Sequence, residues 1–273
     1  MPELPEVETM VRDLTPLLAG RQLQSVRVVR PDVLDGVSAR SLAAGLTGAR
    51  VAGLARRAKN AVILTDRKRL IIQPGMTGAL FVKRQLDPAD ERYAVLRVVL
   101  DTGETLVYHD VRRFGTIRWL DTPGWNRFSA EFGPEPLDPG FTPEVLAEIL
   151  ASSRAAVKKV LMDQKQLAGV GNIYANEALF YAGVDPSKPA DQVPADKIPP
   201  LHGHLVRILA DAVAAHGSTI RDFRTGTGEP GNFQGSLAVY DRAGQPCRQS
   251  GSPLAGTHTI DGRAKVFCYR CQA

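Results

Sequence analysis

Cysteine is scarce in this chain of 273 residues: only Cys247, Cys268 and Cys271 occur, all in its last tenth. A disulfide framework uses an even, dispersed set, so these thiols do not form one. Clustered thiols without a secretory leader read better as a metal knuckle in a reducing compartment. No apolar run reaches the ~18 residues of a membrane span. The opening Met1-Pro2-Glu3-Leu4-Pro5-Glu6 carries acid where a signal peptide needs base, which argues against secretion and for the cytoplasm. Internal repeats and low-complexity tracts are missing too. A hydrophobic content of 44% against 23% charged residues excludes a disordered chain and allows a buried core. The charge excess is small: 34 Lys and Arg against 29 Asp and Glu give +5, with a pI near 9.2. That mild basic bias suggests a polyanionic partner without identifying one.

From Gln22 to Leu120 the chain reads as short β-branched runs: Val26–Val29, Ala61–Leu64, Leu70–Ile72, Val95–Leu100 and Thr105–Tyr108. Turn signals at Arg67-Lys68, Asp101-Thr102-Gly103 and Arg113-Phe114-Gly115 separate them. Many short strands with such turns predict a β-sandwich. Pro and Gly then crowd residues 122–142, which read as a linker. Beyond it the period turns helical at Val145-Leu146-Ile149-Leu150, Val157-Val160-Leu161 and Ile173-Ala175-Ala178-Leu179, with a further helix from about Pro199 to His216. The tail returns to hairpin character. The expected organisation is therefore α+β and multidomain: a β-rich domain at 1–121, a linker at 122–142, a helical domain at 143–236 and a finger at 237–273.

The first residues carry the most chemistry. Pro5 suits a first helical turn, and Glu6 and Glu8 complement the positive end of a helix dipole. Initiator Met is usually removed before a small residue such as Pro, which would leave Pro2 as a free secondary amine. An α-amino group of pKa ~8 is ~10% neutral at pH 7, against well under ~0.1% for a lysine at ~10.4. A neutral amine attacks a carbonyl-like carbon. A secondary amine then gives an iminium with no N–H to lose, an electron sink suited to elimination. Glu3, adjacent to it, can supply acid to a ring-opening sugar oxygen.

The opening nonamer Met1-Pro2-Glu3-Leu4-Pro5-Glu6-Val7-Glu8-Thr9 resembles the start of the bacterial formamidopyrimidine-DNA glycosylases, the Fpg/MutM branch of the Fpg/Nei family. The likeness spans nearly the whole chain. It implies an N-terminal β-sandwich bearing a helix, a helix-two-turn-helix domain, a zinc-finger-like hairpin, and activity on damaged double-stranded DNA. By the same likeness Lys59, in Arg56-Arg57-Ala58-Lys59, matches the family's active-site lysine, although Ala58 stands where Gly is usual. A cation there would hold a phosphate or damaged base and favour an unprotonated Pro2.

Gln73-Pro74-Gly75-Met76-Thr77-Gly78 resembles the loop whose methionine fills the gap left by an everted nucleotide, with Gln73 in place of His. Asp110-Val111-Arg112-Arg113-Phe114-Gly115 resembles the loop whose aromatic ring wedges between bases, while its first arginine meets the orphaned base. Met76 alone would be a core residue, whereas the arginines and glycine flanking Phe114 make core packing the minor reading of that ring. Gly169-Val170-Gly171-Asn172-Ile173-Tyr174-Ala175 resembles the helix-two-turn-helix hairpin. Asn172 would cap the next helix and touch a DNA phosphate, with Lys158 matching a phosphate-binding lysine and Arg154 one turn earlier. Gly217–Phe223 and Gly228–Gln234 resemble the loop over the extruded purine.

The family's finger holds structural zinc on two Cys-x2-Cys pairs. Here Cys268-Tyr269-Arg270-Cys271 is intact, but Ser250 replaces the partner of Cys247. The site expected is three thiolates completed by water, Ser250 or His258. Arg263, at the hairpin tip, matches the family arginine that grips phosphates at the lesion and serves the second elimination. The resemblance thus implies Pro2, Glu3, Lys59 and Arg263 as catalytic groups. It implies a duplex lying between the two halves, a monomeric protein, and a place with the bacterial nucleoid. Two alternatives differ in class. A DNA-binding paralogue that recognises lesions or junctions without cleaving is favoured by Gln73 and Ser250, but need not keep all four catalytic groups. An N-terminal-proline tautomerase leaves the Asn172 hairpin and the cysteine finger unexplained.

Overall fold

A computed structural model describes residues 2–219, 226, 230–260 and 262–272, with the backbone alone at 258 and 259. The chain divides into two compact units, one of residues 1–131 with 215–234, the other of residues 132–214 with 235–273. In the first unit the order is α1 (Leu4–Leu18), β1 (Leu23–Val28), α2 (Ala39–Leu46), β2 (Val51–Arg57), β3 (Asn60–Thr65), β4 (Arg69–Gln73), β5 (Gly78–Lys83), α3 (Pro88–Tyr93), β6 (Ala94–Leu100), β7 (Thr105–Asp110), β8 (Thr116–Leu120) and α4 (Thr122–Ala130).

The strands form two antiparallel four-stranded sheets, ordered β1-β6-β7-β5 and β2-β3-β4-β8. Leu23, Leu80, Val98 and Leu106 from one sheet share a core with Val51, Ile63, Ile72 and Ile117 from the other. This is the β-sandwich that short alternating strands predict. Helix α1 joins the core through Val7, Met10, Leu14 and Leu18, spaced three or four residues apart on one stripe, and packs on β2, β3 and β5. The five strand-like runs of the sequence lie in β1, β3, β4, β6 and β7. The short helices α2, α3 and α4 escape the periodicity, being six to nine residues long, but each has a side-chain cap: Ser38, Asp87 and Asp121. Helix α4 lies inside the stretch expected as a linker, and residues 215–234 belong to the first unit rather than to the helical one.

The second unit holds α5 (Pro143–Ala151), α6 (Val157–Met162), α7 (Asn172–Ala182), α8 (Ile198–Ala214) and the hairpin of β9 (Ala255–Ile260) and β10 (Arg263–Phe267). Helix α7 is buried nearly all round and packs against α6, α8 and β10, as an interior helix must. It ends at Gly183, whose φ of +67° is the left-handed conformation glycine adopts without strain. A small second core of Phe180, Val239, Leu254 and Val266 with Cys247 and Cys268 fixes the finger to α7.

Candidate functional site

Pro2 and Glu3 are both buried at the head of α1. Glu3 is the N-cap residue. Its N–H donates to Glu6 Oε2 at 2.8 Å, and its own side chain accepts from the backbone of Glu6, a reciprocal capping box. The other Glu6 oxygen accepts the Ser218 N–H at 2.8 Å. Glu6 therefore fixes both the backbone of the candidate acid and the root of the segment after α8. The link to Ser218 spans 212 positions and leaves no local trace in the sequence.

Lys59 is buried in the turn joining β2 and β3. Ala58 there has φ +51°, a left-handed conformation that explains why glycine is usual at this position. Arg56 ties the turn to the helix: its Nε donates to Glu8 Oε2 at 2.9 Å, while Nη1 donates to Ala58 O at 3.0 Å. Burial acts to raise the Glu8 pKa, but hydrogen bonds and charge from Arg12 and Arg56 outweigh it and hold the carboxyl below its ordinary value.

The residues expected to replace an everted nucleotide face outward. Met76 is 42% exposed and Phe114 58%, so neither is a core residue, and the Arg112 guanidinium sits 4.6 Å from the centre of the Phe114 ring. Their two loops rest on Asp110, which is buried. Its Oδ1 accepts from Thr77 Oγ1 and the Arg112 N–H, and its Oδ2 accepts from Tyr108 Oη at 3.1 Å and the Gly115 N–H at 3.0 Å. Burial, with Asp110 adjacent, pushes the Tyr108 pKa far up, so its hydroxyl remains a donor. Gly115 is obligatory because a Cβ would overlap Tyr108 Oη and Gln73 O. Asp110 joins the two loops, a role not legible in the sequence because the Thr77 hydroxyl it holds lies 33 positions away.

In the second unit Gly171, not Asn172, is the N-cap of α7; Asn172 is the first helical residue and is partly exposed. Gln164 shapes the preceding turn, accepting the Gly169 N–H at 2.9 Å and donating to Met162 O and Val170 O, each at 2.8 Å. Lys158 is fully buried in the first turn of α6, and its ammonium donates to Ala264 O at 2.6 Å, next to Arg263. From there it supports the hairpin rather than offering a charge to solvent. Arg154 precedes α6, with its side chain 94% exposed and 3.7 Å from Asp191. Arg263 begins β10 and is exposed, its Nη1 3.9 Å from Met162 Sδ.

The sulfurs of Cys247, Cys268 and Cys271 all lie within 4.8 Å of one another. Cys247 and Cys271 are 3.8 Å apart, and Ser250 Oγ is 3.2 Å from Cys268 Sγ. Two thiolates at ~2.3 Å from a tetrahedral ion are separated by about 3.8 Å, so the three sulfurs could hold a metal ion, and Ser250 Oγ lies beside them. Burial acts against ionisation of Cys247, but hydrogen bonds from Ser250, Gln249 and Cys268 bring its pKa below the usual thiol value. Burial and the neighbouring sulfurs raise that of Cys271, despite a hydrogen bond from Ser250. The His258 side chain lies outside the described residues, as do 220–225 and 227–229 of the expected purine-covering loop. The described root of that loop is tied together by Gly231 N–H to Thr219 Oγ1 at 2.7 Å and Asn232 N–H to Ala215 O at 3.0 Å. Among the described residues no helix is long and apolar enough to cross a membrane.

A capped Pro-Glu head on a β-sandwich, together with a helical unit bearing a thiol-clustered hairpin, defines a two-unit α+β class of protein. Residues 1–117 match the family model of the formamidopyrimidine-DNA glycosylase N-terminal domain, and residues 132–224 that of the formamidopyrimidine-DNA glycosylase H2TH domain. The chain is 41% identical to a formamidopyrimidine-DNA glycosylase of Geobacillus kaustophilus and 43% identical to one of Laribacter hongkongensis, covering 100% of both chains in each case. It is similar to the Lactococcus lactis Fpg (MutM) solved with DNA containing N7-benzyl-Fapy-dG, at 32% identity and TM-score 0.91 over 99% of each chain. The chain belongs to the formamidopyrimidine-DNA glycosylase family.

Proposed function

We propose that this protein is a DNA glycosylase with abasic-site lyase activity, excising oxidised purines such as 8-oxoguanine and formamidopyrimidines from duplex DNA. The observation that carries the reading is the buried Pro2-Glu3 pair at the capped head of α1, a nucleophile and an acid on adjacent residues. Once Met1 is removed, the Pro2 nitrogen attacks C1′ of the damaged nucleotide. The base departs with the electrons of the glycosidic bond. Glu3 protonates the ring oxygen as the sugar opens, and the Pro2 nitrogen gives up its proton to become an iminium. That cation acidifies C2′, whose proton leaves as the C3′–O bond breaks; a second elimination breaks the C5′–O bond. Lys59 and Arg263 hold phosphates and assist these steps. Phe114 and Met76 fill the space of the everted nucleotide and Arg112 meets its partner base, a role their exposure supports.

Asn172 and Arg154 contact DNA phosphates, and Lys158 acts by holding the hairpin that carries Arg263. Cys247, Cys268 and Cys271 would hold zinc, with water, Ser250 or His258 as fourth ligand, and the ion would hold the finger's shape. The protein works as a monomer on chromosomal DNA in the cytoplasm. Borohydride reduction on an 8-oxoguanine duplex is the test. A covalent protein–DNA adduct is expected, lost in Pro2→Gly. No adduct from the mature wild-type protein refutes the lyase assignment.

A further inference from the structure

The turn that carries Lys59 consists of Ala58 and Lys59, between the paired Arg57 and Asn60 at the ends of β2 and β3. Ala58 is fully buried with φ +51°, a conformation that crowds its Cβ against the carbonyl that follows. A strained residue of this kind relaxes when one of its two flanking peptide planes turns over as a unit. The plane between residues 57 and 58 governs φ of Ala58, and the plane between 58 and 59 governs its ψ. Both planes are held by side chains. Asn60 is 2% exposed, and its Nδ2 donates at 3.0 Å to Arg57 O, the carbonyl of the first plane. Arg56 Nη1 donates, also at 3.0 Å, to Ala58 O, the carbonyl of the second. The flanks are anchored in turn. Arg56 Nε donates to Glu8 Oε2 on α1 at 2.9 Å, and Arg57 Nε and Nη2 donate to Ser129 Oγ and Ser129 O on α4 at 3.2 and 3.1 Å. A buried amide is costly unless its polar atoms are used. The Asn60 donor goes to the one carbonyl whose rotation would release φ of Ala58.

We propose that Asn60 and Arg56 are positioning residues: they lock the two peptide planes around Ala58 and so fix the direction in which the Lys59 side chain leaves the turn. A flip of either plane changes the turn type and redirects the Lys59 ammonium. Glycine at position 58 would hold a positive φ unaided, so the dependence on Asn60 follows from the alanine. What Lys59 does to DNA rests on the repair reading; how the lysine is held does not.

The test follows Lys59 by reductive methylation with formaldehyde and cyanoborohydride on DNA-free protein, read by peptide mass spectrometry. Lys59 is 6% exposed, so the wild type should be labelled there slowly. Asn60→Ala and Arg56→Lys should each raise that rate about tenfold, the population shift that one lost hydrogen bond allows. Ala58→Gly/Asn60→Ala should return it to within about threefold of wild type, because glycine removes the strain that drives the flip. Melting curves show which variants fold; if Asn60→Ala does not, Arg56→Lys and the unstrained double variant still decide. An unchanged rate in Asn60→Ala and Arg56→Lys overturns the proposal, as does a rise in Asn60→Ala that Ala58→Gly fails to suppress. Single-turnover borohydride trapping on an 8-oxoguanine duplex supplies the catalytic arm. Asn60→Ala should slow adduct formation without weakening duplex affinity, and should have no further effect in a Lys59→Ala background. Equal slowing in both backgrounds overturns the positioning role. No adduct from the wild type defeats the repair reading alone, since the labelling still decides how Lys59 is held.

Discussion

Glu177 is 1% exposed on the interior helix α7, and its carboxylate accepts three backbone hydrogen bonds, from Ala238 at 2.7 Å, Val239 at 2.9 Å and Tyr240 at 2.8 Å. The substitution Glu177→Gln keeps the volume and changes one oxygen to an amide. Oε1, which takes the Val239 and Tyr240 donors, can be kept as the amide oxygen. The new NH2 then faces the Ala238 N–H, donor against donor, in a site that water does not reach. Losing a bond to a charged group and orphaning a buried N–H costs about 2–3 kcal/mol. For a unit of this size that is a fall in Tm of roughly 4–12 °C. The effect also has a pH signature. Burial raises the Glu177 pKa above 4.5, against the opposing pull of the three N–H groups. The folded state therefore holds the proton more tightly than the unfolded one, and this group's contribution falls as pH rises from 4.5 through the raised value. The cost of Glu177→Gln should thus be smaller above that window than below it. Calorimetry gives the Tm, and hydrogen exchange should report faster exchange at 238–240. A Tm within about 1 °C of wild type, with those amides still protected, would refute the argument.

Glu8→Gln should remove a stabilising contribution that is present above pH 4.5 and lost as pH falls through the lowered folded value; urea melts at pH 7 and pH 3 should differ less in the variant than in wild type. Phe114→Ala, at an exposed ring, should change stability by no more than about 0.5 kcal/mol while weakening lesion-duplex binding tenfold or more, measured by fluorescence anisotropy. Ser250→Cys completes a four-thiolate set, so zinc should survive a chelator challenge that strips the wild type, read by elemental analysis and Tm.

Residues whose signal is local were legible in the sequence. The runs at Leu70–Ile72 and Val95–Leu100 alternate or cluster over the length of a strand and are strands. Phe114 sits between arginine and glycine in a turn, and that neighbourhood alone suggested a ring that is not in the core. Asn172 was placed one position from its actual role because Gly171, which offers no side-chain cap, holds the extended conformation a cap requires. The burial of Lys158 could not be read because its partner, Ala264, lies 106 positions away and is a backbone carbonyl with no sequence identity. Glu177 was hidden for the same reason, since its three donors are main-chain N–H groups, which every residue but proline supplies, and two of the four donors to Asp110 are of that kind. Ala58 was visible as a departure from glycine, but only its positive φ tells what the departure means.

The carboxylate of Glu6 has two oxygens and serves two masters. One grips the main chain of Glu3, next to Pro2, the other the Ser218 N–H, the first strut of the segment that follows α8. If that strut shifts, the carboxylate must either let go of it or turn, and turning drags the head of the helix along. The head of α1 is thereby geared to the start of the segment after α8 through the Glu6 side chain.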